Sequence, residues 1–431
     1  MYPYRSILAA RAVLSFRCTD TACLEHCCGG WDIALDKSRY QTLKQHMAGN
    51  EQDKARFQTS VHINDPDSQT AFAVIHRGEE DGLCPFLEPD GLCYLHRRFS
   101  QETLPSICES YPRRSSLVNE RLEVVGDFSC PEMVRGYLCD PHGADMEPAD
   151  EITPPSRQPT QRIQCRDHQS PYLRIFEESR TALQTLLCDR RFSMASRLFQ
   201  LAVQTHQLDP FFHLETTLTD EPKMRRALNQ IIHLPEERVT LDREFQELEA
   251  DPLPGIQLLS ALLDATVSPE RDDSYQRLLQ KVFIQLGAQA AENDKGITAE
   301  QLWSQHSRRA QRWESLFGTQ IDGYLERYAV THLHAEWCVH SVNLGLYVKN
   351  LVLRIAMVRF LLFNHPRLCV AIKGGLPSEE MVKELEECAV EVFVSFSRTI
   401  AHNRVLLQGL EEDLREGGLQ TLGHTLSLIA I

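Results

Sequence analysis

The sequence predicts a mainly α protein, with an irregular cysteine-rich N-terminal metal-binding domain that carries short strands and an all-helical C-terminal domain. Three observations carry this. Ten of the 14 cysteines fall within residues 1–165. A stretch rich in proline and polar residues, running from Pro141 through Pro159, interrupts the pattern and reads as a linker. From Tyr172 onward, apolar residues recur at spacings of three and four, the mark of amphipathic helices. The domains expected are 1–140 for the cysteine-rich metal-binding part, 141–165 for the linker and 166–431 for the helical part.

Within the first domain, Asp36–Met47 has a helical pattern. Phe57–Ile63 and Ala71–His76 read as short strands, and Ser116–Asp127 as a hairpin turning at Asn119-Glu120. The helical segments expected beyond the linker are Tyr172–Leu187, Met194–Thr205, Lys223–Ile232, Ile256–Leu263, Tyr275–Ala290, Glu300–Phe317, Tyr328–Phe363 and Ser378–Ser397. Leu406–Leu414 reads as a final helix. Neither an internal repeat nor a low-complexity tract is evident.

A length of 431 residues is enough for two or three domains with buried cores. The formal charge of −15 is spread over both parts of the chain. That argues against nucleic acid as a partner, because phosphate binding needs clustered Lys and Arg. Met1–Phe16 has no clean apolar core before a small-residue cleavage site. The most apolar run, Leu351–Phe363, holds Arg354 and Arg359 and is too short to span a bilayer. The expected address is the cytoplasm, without membrane insertion. Thiols stay reduced there, so the cysteines need a reason other than disulfides.

That reason is legible in their grouping. The first group is Phe16-Arg17-Cys18, Cys23 and Cys27-Cys28-Gly29-Gly30-Trp31. The second is Cys84-Pro85-Phe86-Leu87 followed by Gly91-Leu92-Cys93. Cys108, ahead of Tyr111-Pro112-Arg113, forms a third, and Cys130-Pro131 a fourth. Soft thiolates are the ligands of zinc and of iron–sulfur clusters. Cys23 and Cys27 are four apart and share a face on a helical turn. Adjacent Cys27 and Cys28 diverge by about 100° on such a turn and so do different jobs. On spacing alone, one or two structural zinc sites remain an open alternative. Cys139, Cys165, Cys188, Cys338, Cys369 and Cys388 lie outside these motifs and read as free thiols.

Taken in order, these motifs resemble the YkgJ-like zinc- or iron-chelating cysteine domain. With Cys130-Pro131 and the long helical part, the chain more narrowly resembles the FliB family of flagellin lysine-N-methylases. The motifs cover about residues 16–131; the rest is similar in length and helical character. The resemblance implies a bacterial cytoplasmic methyltransferase that modifies lysine side chains of flagellin, its protein substrate, before export. It also implies S-adenosyl-L-methionine as methyl donor and a 4Fe–4S cluster held by cysteines among Cys18, Cys23, Cys27, Cys28, Cys84, Cys93, Cys108 and Cys130. Four thiolates suffice for one cluster, and the sequence does not choose among the eight. The alternative is a non-catalytic zinc- or iron-chelating protein serving metal delivery, electron transfer or scaffolding.

Familiar donor signatures are absent. Cys23 and Cys27 begin the three-cysteine spacing of radical enzymes, but Gly30 stands where the third cysteine belongs. No strand–Gly-x-Gly–helix loop is evident. Trp31, Asp32, Tyr111 and Arg113 adjoin the motifs, either as a shell around a bound group or as packing and turn-capping residues. His332, His334, Glu336, Cys338 and His340 read as an ordinary polar helix face. Asn364-His365 ahead of Cys369 reads as a chance resemblance to another lysine-methylase motif.

Overall fold

The computed structural model describes residues 4–19, 22–23, 27–29, 31–78, 82–99, 103–150, 159–166, 168–209, 221–267, 274–287, 297–341, 343–371, 377–401 and 421–431. The chain divides into two compact units. The first comprises 1–133 and 147–161, the second 134–146 and 162–431.

The first unit holds a five-stranded sheet in the order β7-β1-β6-β5-β8. Its strands are β1 (Ser6–Ala10), β5 (Arg113–Val118), β6 (Arg121–Gly126), β7 (Met146–Ala149) and β8 (Gln161–Ile163). β1 runs parallel to β6, with Ser6 opposite Arg121, and β5 pairs antiparallel with β6, with Arg113 opposite Gly126. The hairpin turns where the sequence places it: Asn119 takes a φ of 54°, a left-handed conformation that asparagine tolerates better than most residues. The stretch expected as a linker supplies both edge strands, β7 and β8. Its prolines do not prevent this, since an edge strand leaves some backbone amides without a ladder partner.

Three further strands, β2 (Ile33–Leu35), β3 (Val61–Ile63) and β4 (Ala73–Ile75), form a second antiparallel sheet in the order β2-β4-β3. Short helices complete the unit. They are α1 (Arg11–Ser15), α2 (Lys37–Met47), α3 (Glu51–Ser60), α4 (Tyr94–Arg98) and α5 (Ser106–Ser110), and α6 (Pro131–Cys139) begins in it. Asp36 caps α2 by accepting from the Arg39 amide at 2.9 Å. The strand expected over Phe57–Ile63 forms only from Val61. Phe57–Ser60 ends α3, which Asn50 caps and whose first turn carries Glu51 and Asp53. One apolar core unites Ile33, Leu35, Leu43, Met47, Phe57, Ile75, Phe86 and Leu95, with Cys84 buried in it. Beside that core, Arg39 and Glu109 form a buried ion pair between α2 and α5.

The second unit is helical. After α6 come α7 (Pro171–Arg174), α8 (Phe176–Leu187), α9 (Met194–Leu208), α10 (Glu221–His233), α11 (Pro235–Glu247), α12 (Leu253–Ala265) and α13 (Ser274–Gln285). Then follow α14 (Ala299–Ala335), α15 (Leu344–Phe363), α16 (Pro366–Ala371), α17 (Glu379–Phe396) and α18 (Leu422–Ile429). Leu406–Leu414, the expected final helix, lies outside the described residues. α14 starts on a Thr298–Gln301 capping box and kinks at Phe317, next to Gly318.

α15 is apolar on all sides and buried at nearly every position, as such a helix must be. It packs against α9, α14, α17 and α18. No helix among the described residues is long and apolar enough to cross a membrane. The continuous helix expected over Tyr328–Phe363 is broken. α14 stops at Ala335, a short 3-10 turn spans Cys338–His340, and Asn343 caps α15 by accepting from the Leu346 amide at 2.7 Å. Glu326 gathers a buried charge cluster in this unit. Glu326, 3% exposed, accepts from Arg197 at 2.6 Å and from Arg190 at 2.8 Å.

Candidate metal centre in the cysteine-bearing unit

Local structure brings the cysteine motifs together. The Cys84 amide donates to the Cys28 carbonyl at 2.7 Å, and Gly29 and Leu83 form an antiparallel bridge beside it. The Cys84–Cys93 segment folds back on itself: Leu87 bridges Cys93, and the Tyr94 amide donates to the Phe86 carbonyl at 2.8 Å. Gly91 turns this loop with a φ of 82°, which glycine adopts without a Cβ penalty. Cys84 is buried in the apolar core described above, and Cys28, Cys93 and Cys108 pack against the same core. Cys27 is exposed.

The thiols of this set sense one another. Cys28 is pushed upward by a hydrogen bond with Cys27, by burial and by the proximity of Cys93 and Cys84. Burial pushes Cys84 up to about 11, with Cys93 and Cys27 adding to the rise. Cys108 is raised by burial and then by Cys93, Cys84 and Cys27. Burial also raises Cys93, against the amides of His96 and Leu95, which donate to its sulfur. A second gathering forms at the start of α6. There burial pushes Cys130 up to about 12, Cys23 and Cys18 raise it further, and the Met133 and Glu132 amides donate to its sulfur.

All eight cysteines predicted as ligands therefore fall into two neighbourhoods. One comprises Cys27, Cys28, Cys84, Cys93 and Cys108, the other Cys18, Cys23 and Cys130. Among the described residues, no group of three or more His, Cys, Asp and Glu side chains converges closely enough to hold a metal ion. The sulfurs face one another at a range where charge is felt, without closing on a point. The donor set is of the chemical kind that zinc or an iron–sulfur group takes: soft sulfurs, partly desolvated, receiving backbone amides that favour the thiolate. Mutual repulsion of buried thiolates is also the cost that a bound cationic centre relieves.

Of the neighbouring residues, Asp32 is held by partners next to β4. It accepts from the Arg77 amide at 3.0 Å and lies 2.9 Å from His76 Nδ1. Trp31 and Tyr111 pack edge to face at 5.7 Å, and the Tyr111 hydroxyl lies 3.1 Å from Ser129 Oγ. Arg113 stacks over Phe16 and feels the charge of Cys130. Arg56 escapes sequence reasoning. It donates to the Pro85 carbonyl at 2.7 Å, lies over the Tyr94 ring at 4.4 Å and exerts its positive charge on Cys84 and Cys93. The Asn50 cap of α3 is the sequence signal that marks Arg56 as helical.

Two motifs of the helical unit take structural roles. His332 and His334 are buried rather than on a polar face, because α14 runs through the core. The helix ends before His340, so its spacing from Glu336 is not helical; His340 stacks on Trp337, and His332 Nδ1 meets the Tyr347 hydroxyl at 3.0 Å. Asn364 caps α15, accepting from Arg309 at 2.8 Å and contacting His306 at 2.9 Å. Cys139 lies near Glu386 and Arg135, and Cys188 near Glu326.

The FliB lysine N-methylase C-terminal domain model matches residues 180–428. The chain is 29% identical over 129 residues to the flagellar biosynthetic protein FliU of Salmonella muenchen, a match covering 30% of this chain and 75% of that protein. It is also 29% identical over 129 residues to a lysine-N-methylase of Salmonella typhimurium, covering 30% of this chain and 31% of the relative. A lysine-N-methylase of Salmonella choleraesuis matches with the same identity and coverage, so the match spans about a third of each of these two relatives. No solved structure matches. With the family model extending over more than half of its residues, the chain belongs to the FliB lysine N-methylase family.

Proposed function

We propose that this chain is a protein-lysine N-methyltransferase that modifies flagellin in the cytoplasm, uses S-adenosyl-L-methionine and depends on a 4Fe–4S cluster. The family match over residues 180–428 is the observation that carries the reading, and lysine-N-methylases among the relatives support it. The gathering of Cys28, Cys84, Cys93 and Cys108 on one core supports the cluster. These four are proposed as its ligands.

Each side chain then has a defined part. The His96, Leu95 and Phe86 amides stabilise the Cys93 and Cys84 thiolates, and Arg56 offsets their charge. Cys27, exposed beside Cys28, is left out of the set. When bound, the cluster would supply a redox-active iron centre held by these four thiolates. The acceptor lysine must lose its proton to react, because its ordinary pKa is near 10.4 and only the neutral amine carries a lone pair. A sulfonium donor is a cation, which a chain of net charge −15 attracts.

Anaerobic purification and co-expression with flagellin test the reading. The expected protein is brown, with iron and sulfide, and flagellin gains mass in steps of about 14 Da, one per methyl group. Colourless protein with stoichiometric zinc removes the cluster. Flagellin of unchanged mass, beside a competent control methylase, removes the methyltransferase.

A further inference from the structure

The helical unit contains a cavity of about 110 Å³ lined by α9, the first turns of α15 and α18. A single water needs roughly 10–15 Å³ of such space, so the cavity has room for a small polar group. Lys349 lines it and is 2% exposed. Its Nζ makes no hydrogen bond among the described residues. A buried amine without an acceptor is costly, and an anion brought into the cavity supplies one. Asp209 also lines the cavity. One of its carboxylate oxygens accepts from the Gly345 amide at 2.8 Å, and the other lies 3.9 Å from His206 Nδ1. The close fit depends on glycine, since a Cβ at Gly345 would meet the Asp209 carboxylate at 2.2 Å. Asn343 and Thr425 add neutral polar atoms.

An amine and a carboxylate on one small cavity are the complement of a zwitterion. We propose that this cavity binds the head group of an α-amino acid, its carboxylate on Lys349 and its α-ammonium on Asp209. Two sources share that chemistry: a free amino acid, and the amino-acid end of the methyl donor. The second source rests on the function proposed above.

Binding to the full-length, anaerobically purified protein is measured by calorimetry with S-adenosylhomocysteine, L-methionine and 5′-methylthioadenosine, which lacks the amino-acid end. The expected result is that S-adenosylhomocysteine binds and 5′-methylthioadenosine does not. Lys349→Met weakens the bound ligand by about tenfold or more, as loss of a charged hydrogen bond does. Asp209→Asn, which keeps an acceptor for the Gly345 amide, weakens it as well. If methionine alone binds, and does so through Lys349, the site serves a free amino acid. Unchanged affinities in a folded Lys349→Met protein, or no binding of either amino-acid ligand to the native chain, overturn the site. Flagellin methylation with Lys349-independent S-adenosylhomocysteine binding removes this inference and leaves the proposed function standing. Lys349-dependent methionine binding without methylation does the reverse.

Discussion

Replacing Lys349 with methionine is expected to stabilise the ligand-free protein, and by an amount that depends on pH. Burial among α9, α15 and α18 pulls the Lys349 amine down from 10.5 to about 8. The titratable groups that share its cavity are His206 and Asp209. Below pH 8 the folded chain holds a charged amine that it solvates poorly, whereas the unfolded chain solvates it fully. The cost is therefore complete below pH 8 and fades as pH rises toward 10.5, because over that window the unfolded state still binds a proton the folded state has lost. A shift from 10.5 to about 8 amounts to about 3 kcal/mol at pH 7 and about 2 kcal/mol at pH 9. Methionine fills similar space without a charge. At roughly 1–2 °C per kcal/mol for a chain of this size, the variant's melting temperature rises by about 3–5 °C at pH 7, and by less at pH 9. Differential scanning calorimetry of both proteins at both pH values measures this, and the difference between them cancels titrating groups away from the cavity. A variant that melts below the native protein at pH 7, or a difference that does not shrink by pH 9, refutes the reasoning.

Three further outcomes are expected. Cys93→Ser removes iron and flagellin methylation together, whereas Cys188→Ser, on the helical unit, keeps both; iron analysis and intact-mass measurement check each. Glu326→Leu leaves the buried Arg197 guanidinium without its main partner and costs about 3–5 kcal/mol, whereas adding Arg197→Met recovers much of that loss, read as melting temperatures. Burial opposes the ionised Glu326 carboxyl, but hydrogen bonds from Arg190 and Arg197 win and hold it below its usual range. Its contribution is thus full above about pH 4.5 and lost as pH falls through the folded value. Gly255→Ala drives a Cβ to within 2.5 Å of the Ser427 carbonyl where α12 meets α18, and overpacking of this kind costs about 1–3 kcal/mol in denaturant titration.

Local chemistry made much of the fold legible. Asp36 ahead of an amphipathic run marks α2, and Asn119 between alternating apolar residues marks the β5–β6 turn. Such signals act over a few residues and need no partner. The strand expected over Phe57–Ile63 overlaps a real helix end because a short apolar run suits either state until packing decides. The helix expected over Tyr328–Phe363 ignored the Asn343 cap, since apolar spacing on both sides of the break matched by chance.

The sequence by itself determined that this protein gathers cysteines in its N-terminal third and builds helices after it, because ligand type and periodicity are properties of residues close along the chain. Only the tertiary structure decided which cysteines are neighbours. Cys28, Cys84, Cys93 and Cys108 are separated by as many as 80 residues, yet they pack on one core, while Cys130 joins Cys18 and Cys23. The same holds for Lys349, one more lysine on a helical stretch until α9 and α18 close over it. Proximity between distant segments, and the loss of water it brings, arises from packing that spacing along the chain does not encode.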